Sequence, residues 1–406
     1  MIFFNTFKKA AIVCIFLLLS SQLYAATISS YSIKGLKHTK EDSLAPYLDT
    51  FIGKDSSEID LHEIETTLRS YGIFSDVKVS LSEEENTTDG TVLNIELKEK
   101  ITFLPIPFAF YSSTNYGGGL FILNSNAFGK KDTMMAGGMF LSNRIFGMFG
   151  YSHEANENSL GWTVFTSGGN ADIEFTDSKD ESFLEFSTVN YNATVSITEK
   201  LNSFCKLSQG VAYSYTHFKD DGYDDFHKIS TAIAFAADFV DWNGYFMLTK
   251  ALTISGGLEY YISDDFTQNA GLTYLMQDNF FTNRIRYIID LKAKYEHNVP
   301  LTSSMEAGNE GGRILSEYFH TSKFAMGRFS LEAALLKKPL FTLSMLTSYE
   351  CDLAEDYDDS LVVCHGPGCG FYLYLEKIAL PALGFTYSYN LTEKYPTFNF
   401  SLGATF

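Results

Sequence analysis

Long apolar runs are missing from this sequence after its first 26 residues, and a helical membrane bundle needs stretches of about 20. The mean hydropathy of -0.04 is likewise far too polar for one. Basic residues are few: 30 Lys and Arg stand against 49 Asp and Glu, a formal net charge of -19. Nucleic-acid binders neutralise phosphates with a basic face, so that class is excluded. Proline is scarce, at 8 residues. No G-x-S-x-G, H-E-x-x-H, Walker loop or dinucleotide fingerprint occurs. Gly117-Gly118-Gly119 lacks the Gly-Lys-Ser/Thr continuation of a phosphate loop and reads as bends in strands. No enzyme, catalytic residue, cofactor or metal is expected.

Aromatics and glycine are abundant instead, with 36 Phe, 25 Tyr and 30 Gly. That is ample material to bury, so the chain is not disordered. An acidic, aromatic-rich, Gly-rich chain of neutral hydropathy suggests β-structure that faces lipid on one side.

Lys8 and Lys9 precede the apolar run Ala10–Leu19, then Ser20, Ser21 and the small pair Ala25 and Ala26. This is the order of a secretory signal peptide, expected over residues 1–25. Removing it takes two lysines and no acid, so the charge falls from -19 to -21. Cys205, Cys351, Cys364 and Cys369 then remain in a compartment where disulfides persist. The last three share a loop-like stretch with Asp352, Gly366, Pro367 and Gly368, expected as a loop disulfide or free thiols. A metal site at Cys364, His365 and Cys369 lacks the usual paired ligand spacing.

Two periods divide the remainder. In residues 27–100, Ile28–Ile33 reads as a strand ending at Gly35. Leu44, Tyr47, Leu48 and Phe51 mark a helix face stopped near Gly53, and Leu61, Ile64, Leu68 and Tyr71 another stopped at Gly72. Val77–Leu81 and Val92–Leu97 alternate across a polar turn, a hairpin. The order β-α-α-β-β predicts a small α+β domain with both helices on one sheet face.

From Ile101 the helix period ends. Val189, Tyr191, Ala193, Val195 and Ile197 interleave with polar residues, as do Leu252, Ile254, Leu258 and Tyr260. Ile285, Tyr287, Ile289, Leu291 and Ala293 oppose Arg284, Arg286, Asp290, Lys292 and Lys294. About sixteen such segments in residues 101–406, each about 19 residues with its connection, fit tilted membrane strands of roughly 9–11 residues. The expectation is a transmembrane barrel of antiparallel strands. In the last strand Phe398, Phe400, Leu402, Ala404 and Phe406 share one face, and the sequence closes on Phe406. An alternating strand ending in Phe is a signature of bacterial outer-membrane barrels. The acidic residues Asp220, Asp221, Asp224, Asp225 and the run Asp352–Asp359 read as solvated outer loops.

The residues also resemble a known family. Ile33-x-Gly35, Gly53, Leu61, Leu68, Gly72-Ile73-Phe74-Ser75-Asp76-Val77 and Leu97-x-Glu99 resemble a POTRA domain. The stretch LPIPFAFYSSTNYGGG from Leu104, and NSNAFGKKD from Asn124, resemble the opening of the barrel in the BamA/TamA family. The resemblance implies one periplasmic POTRA domain over 27–100 and an outer-membrane barrel over 101–406. It also implies insertion or translocation of unfolded outer-membrane or secreted client proteins, with outer-membrane lipid and accessory assembly subunits as partners. The alternatives are a passive channel and a transporter dedicated to one secreted partner.

Gly312-Arg313 matches the tip of the family's long inward-folded loop, with Ile314 and Leu315 in place of its Gly-aromatic pair. Glu332, on the lumen-facing parity of the next strand beside Arg328 and Ser330, is the preferred partner of Arg313 in a barrel lock, with other lumen acids as alternatives; the other reading leaves Arg313 solvated in an outer loop. Pro105 and Pro107 cannot donate ladder hydrogen bonds, which predicts a weak seam between first and last strands, or marks a linker into the barrel. If the last strand is the assembly signal, deleting Phe406 should lower the amount of heat-modifiable barrel in the membrane fraction. Undiminished barrel would refute that role.

Overall fold

The computed structural model describes residues 27–402, apart from 84–89, 112–115, 142–143, 157–158, 221–224, 242–248, 263–267, 283, 297–304, 309–310, 317–318 and 380–382. The expected signal segment, Asp221, Asp224, Ala404 and Phe406 lie outside the described residues, as do the side chains of Phe400 and Leu402.

The chain opens with β1 (Thr27–Lys34) and returns after a helical stretch as β2 (Phe74–Glu83) and β3 (Gly90–Glu99). β3 is central, parallel to β1 and antiparallel to β2. A parallel pair needs a crossover, and the helical stretch supplies it. The first expected helix is broken, however. A single α-turn, Ala45–Leu48, stands between 3-10 turns at Glu41–Ser43 and Asp49–Phe51. Pro46 explains the break: it lacks the N–H that a longer helix would need there, so it fits only in a first turn. Leu61–Ser70 is a full helix. Asp60 caps it, accepting from the N–H groups of His62 (2.9 Å) and Glu63 (3.2 Å). Gly53 and Gly72 have φ of 83° and 71°, a left-handed turn that ends helical chain. Leu44, Leu48, Ile64 and Leu68 are fully buried against Ile28, Val77, Leu93 and Ile95 on one face of the sheet.

Past Ile101 the strands form one 16-stranded sheet whose order follows the chain. Its first half is β4 (Phe103–Tyr111), β5 (Tyr116–Ala127), β6 (Asp132–Leu141), β7 (Arg144–His153), β8 (Gly161–Thr176), β9 (Ser182–Lys200), β10 (Cys205–Phe218) and β11 (Phe226–Asp241). β12 (Thr249–Ile262), β13 (Gln268–Thr282) and β14 (Ile285–Glu296) follow. A long connection then holds a two-stranded hairpin, β15 (Met305–Glu306) and β16 (His320–Thr321). β17 (Lys323–Lys337), β18 (Phe341–Glu355), β19 (Leu361–Leu375), β20 (Leu383–Tyr389) and β21 (Pro396–Leu402) complete the sheet. Among the described residues no helix is long and apolar enough to cross a membrane.

The sheet inverts the polarity of a water-soluble protein. Val195, Val211, Ile233, Phe329, Phe371 and Phe385 are exposed on its outer face, while Arg286, Asp290, Arg328, Glu332 and Glu350 are buried on its inner face. An apolar exterior with a polar interior suits a sheet solvated by lipid. Among the described residues β4 and β21 are its edges, with no ladder between them. The sheet is nevertheless rolled. The Ile101 N–H donates to the Lys377 carbonyl (2.9 Å) and the Ala379 N–H to the Ile101 carbonyl (2.8 Å), joining the stem of β4 to the β19–β20 connection. At the other rim the Ser178 N–H donates to Asp356 (3.3 Å), and the rings of Phe183 and Tyr357 lie 4.7 Å apart.

Three expectations from the cysteine-rich stretch need correction. Cys351 lies on β18, and Cys364 and Cys369 on β19, so the stretch is ladder and not loop. The register opposes Cys351 to His365 and Cys364 to Asp352. Cys364 is buried and the other two are exposed, on opposite faces, and all are free thiols. Strand alternation also sends Cys364 and His365 to opposite faces, which separates the proposed ligands. Asp352, expected in a solvated loop, is a buried inner-face residue of β18.

Glu99 closes the α+β unit. Its carboxylate accepts the N–H groups of Lys37 (3.2 Å), His38 (3.0 Å) and Thr39 (2.8 Å). Partial burial pushes this carboxyl up, but those hydrogen bonds outweigh burial and hold it below its ordinary value of 4.5. A depressed folded value contributes stability above 4.5 that is lost as pH falls below it. Residues 27–100 alone should therefore melt cooperatively, weaken on acidification below pH 4.5, and weaken less as Glu99→Gln. Leu68→Ala should cost about 2–5 kcal/mol. A non-cooperative melt of the fragment would count against its independence.

Candidate functional site: a charge network beneath the long connection

The inner faces of β14, β17, β18 and β19 carry the densest set of buried charges in the described chain. Alternation puts residues of one parity inward, and register then aligns them in rows. Arg286 lies opposite Glu332, and Asp290 opposite Arg328, which lies opposite Glu350. Three arginines (286, 313, 328) thus share one space with four carboxylates (290, 332, 350, 352). A buried charge persists only if paired and hydrogen-bonded.

Two subsites result. In the first, Glu332 is fully buried and takes hydrogen bonds from Arg286, the Ser344 hydroxyl and the Tyr374 hydroxyl, the last at 2.8 Å. Arg286 Nη2 also reaches the Tyr374 oxygen at 3.0 Å. In the second, Arg328 donates through Nε to Asp290 Oδ2 (3.0 Å), and through Nη1 to Glu350 Oε2 (3.1 Å) and the Gly311 carbonyl (3.0 Å).

The β14–β17 connection folds into this second subsite. The N–H groups of Arg313 (2.6 Å) and Ile314 (3.3 Å) both donate to Glu350 Oε1, so one carboxylate holds two consecutive backbone donors and Arg328 together. Arg313 Nη2 donates to the Tyr372 hydroxyl at 3.3 Å. The connection also reaches the last hairpin: Asn390 Nδ2 donates to the Ile314 carbonyl (3.2 Å), and the Thr397 hydroxyl to the Arg313 carbonyl. Ile314, Leu315 and Phe319 are buried with Met305, Phe324, Met326 and Cys364. Apolar side chains at 314 and 315 thus anchor the connection by packing.

Of the site residues expected from sequence, Gly312 and Arg313 are both buried in the folded-in connection, and Glu332 is buried on β17. The expected Arg313–Glu332 pair is not formed. The β14–β17 register brings Arg286 directly across from Glu332, whereas Arg313 sits by Glu350 and Tyr372. Asp290, Glu350, Tyr372 and Tyr374 complete the network without having been expected in it. Parity was the signal: Asp290 with Arg286 on β14, Glu350 with Ser344 on β18, and Tyr372 and Tyr374 alternating with Phe371, Leu373 and Leu375 on β19. Pro105 and Pro107 are exposed on the edge strand β4, and both nitrogens face the same side because they lie two apart. Phe398 is exposed on β21, its ring 5.0 Å from Tyr387 and 6.2 Å from Phe385. Phe400 and Leu402 register with Phe385 and Leu383.

No protein-family model matches the sequence, and no curated protein does. Solved structures do resemble it. BamA from Haemophilus ducreyi lacking POTRA domains 1-3 aligns over 92% of this chain and 83% of its own, with TM-score 0.52 and 11% identity. CdiB from Acinetobacter baumannii aligns over 92% and 73%, with TM-score 0.59 and 11% identity. CdiB from Escherichia coli aligns over 93% and 75%, with TM-score 0.58 and 12% identity. At such identities the likeness shows the fold alone: the chain is mostly β-strand and arranged like these β-barrels, its sheet not closed among the described residues.

The pairing makes a testable distinction. Arg286→Ala and Glu332→Ala should each cost about 3–5 kcal/mol, because each strands a buried charge. The double variant should cost little more than either in detergent unfolding followed by heat-modifiable migration. Arg313→Ala combined with Glu332→Ala should be close to additive.

Proposed function

We propose that this protein is an outer-membrane barrel that inserts or exports client polypeptides, with residues 27–100 as a periplasmic POTRA domain and 101–406 as the barrel. The observation that carries this reading is the connection folded inward onto Glu350 beneath a rolled sheet whose first and last strands, among the described residues, are unpaired edges. Such a loop fixes one wall of the sheet, while the edges β4 and β21 remain the places where a client strand could add or pass. Pro105 and Pro107 remove two donors from β4 and so favour a weak seam there. Gly312, Arg313 and the Glu332 subsite then form the lock, tied to the seam strand β21 through the Thr397 hydroxyl. The outer band of apolar side chains supports lipid as the second partner, and Phe398, Phe400, Leu402 and Phe406 form the terminal signal for assembly.

The small domain offers its own client edge. β1 is partly covered, since the Ile28 N–H donates to the Lys54 carbonyl (2.9 Å) and the Gly53 N–H to the Ile28 carbonyl (2.8 Å). β2 is the other sheet edge, and Ser80 on it is exposed. An extended client could add there by main-chain hydrogen bonding. A photoreactive residue at Ser80 should crosslink to unfolded outer-membrane or secreted proteins in cells, and Val79→Pro should suppress the crosslink. Steady ion conductance with no client crosslink would favour a passive channel instead.

A further inference from the structure

A cavity of about 290 Å³ lies where the small domain meets one rim of the barrel. Lys40 and Asp42 line it from the domain, and Lys130 and Lys131 from the β5–β6 turn. His153, Glu154 and Lys200 line it from the ends of β7 and β9. Four lysines against two exposed acids give a positive cavity in a chain of net charge -19.

Its walls are fixed by direct hydrogen bonds between the two parts. The Lys40 N–H donates to the Gly129 carbonyl (2.8 Å), and Asn126 Nδ2 to the Thr39 hydroxyl (2.9 Å). A side chain at Gly129 could not be accommodated, because its Cβ would stand 2.2 Å from the His38 carbonyl oxygen. Lys131 is held by its own N–H, which donates to Asn126 Oδ1 (2.9 Å). Its ammonium lies 3.9 Å from the centre of the Tyr71 ring. Among the described residues it has no carboxylate within ion-pair distance. Burial pushes its pKa down, against the pull of Glu154 and Asp132. A mostly buried ammonium with a ring in contact, no carboxylate at ion-pair distance and three further lysines around the cavity favours an anion there.

The cavity also adjoins an aromatic cluster. The ring of His153 lies 6.3 Å from that of Trp162, which stacks on Tyr151 at 5.2 Å. Trp162 and Phe128 are 41% and 69% exposed. Exposed aromatics of this kind mark headgroup depth in membrane barrels. We propose that the cavity binds a phosphate group, supplied by the headgroup of an anionic phospholipid, with Lys131 as central ligand and Lys40, Lys130 and Lys200 around it. Lysines act as point charges that suit a compact, several-oxygen anion, and basic pockets at the membrane surface capture such headgroups. Because Lys40 belongs to the domain and the others to the barrel, a bound phosphate ties the two together. The choice of lipid as source rests on the barrel reading above; the phosphate chemistry does not.

The test is acetylation of Lys131 in the full chain in a nonionic detergent, followed by peptide mass spectrometry. Dihexanoyl phosphatidylglycerol should slow acetylation about tenfold, whereas dihexanoylglycerol, which lacks only the phosphoglycerol, should not. The double variant Lys130→Ala, Lys200→Ala should raise the lipid concentration for half-protection about tenfold, with heat-modifiable migration unchanged. Equal protection by glycerol phosphate or inorganic phosphate would assign the site to a soluble phosphate and overturn the lipid source. No protection by any phosphate compound, or equal protection by dihexanoylglycerol, would overturn the proposal.

Discussion

A buried carboxylate cannot remain ionised inside a protein unless donors replace its water, and Glu350 is the point where that demand shapes this molecule. Its replacement solvent is the backbone of residues 313 and 314 together with Arg328. The path of the connection follows from this. Once two consecutive N–H groups are committed to one oxygen, Ile314 and Leu315 must enter the apolar cluster. The carbonyls behind them turn toward the last hairpin, where Asn390 and Thr397 receive them. Arg328, satisfied on its other side by Asp290, links the same carboxylate to β14. Four strands and the connection therefore share one electrostatic constraint.

Much of this was legible in the sequence, at the level of faces. Alternation alone assigns Arg286, Asp290, Arg328 and Glu332 to the inner side, because side-chain period in a strand is fixed at two. Partnership was not legible. Which inner residue meets which depends on the β14–β17 register, and a long connection hides the stagger between the strands it joins. The same limit explains the choice of Glu332 for Arg313. The broken first helix is readable from Pro46, whose missing N–H outweighs the apolar spacing around it. The cysteine stretch misled for another reason: Gly366, Pro367 and Gly368 signal a turn locally. Here small residues occupy a strand because β20 crowds it, and a Cβ at Gly366 would meet the Tyr389 carbonyl oxygen at 1.9 Å.

Charge is also distributed unevenly in a way the total conceals. Inside, Arg286 pairs with Glu332, and Arg328 with Asp290 and Glu350, while the exposed acids of the outer loops face water. The lysines of the β5–β6 turn and the end of β9 meet those of the small domain at one rim. Net charge of -19 thus describes the whole chain and none of its working surfaces. Local field at a cavity is set by the nearest few groups and by burial, since exposed charges farther than a Debye length of about 8 Å are screened.

The ties between the connection and the last hairpin span 84 and 76 residues of chain. Contacts of such separation are slow to form, because the entropy of closing the intervening chain is lost before the contact contributes anything in return. The donors of Glu350 are closer in sequence, 37 and 36 residues away. By the same entropy argument the connection docks on β18 more readily than on the last hairpin, and the hairpin ties are the costlier closure.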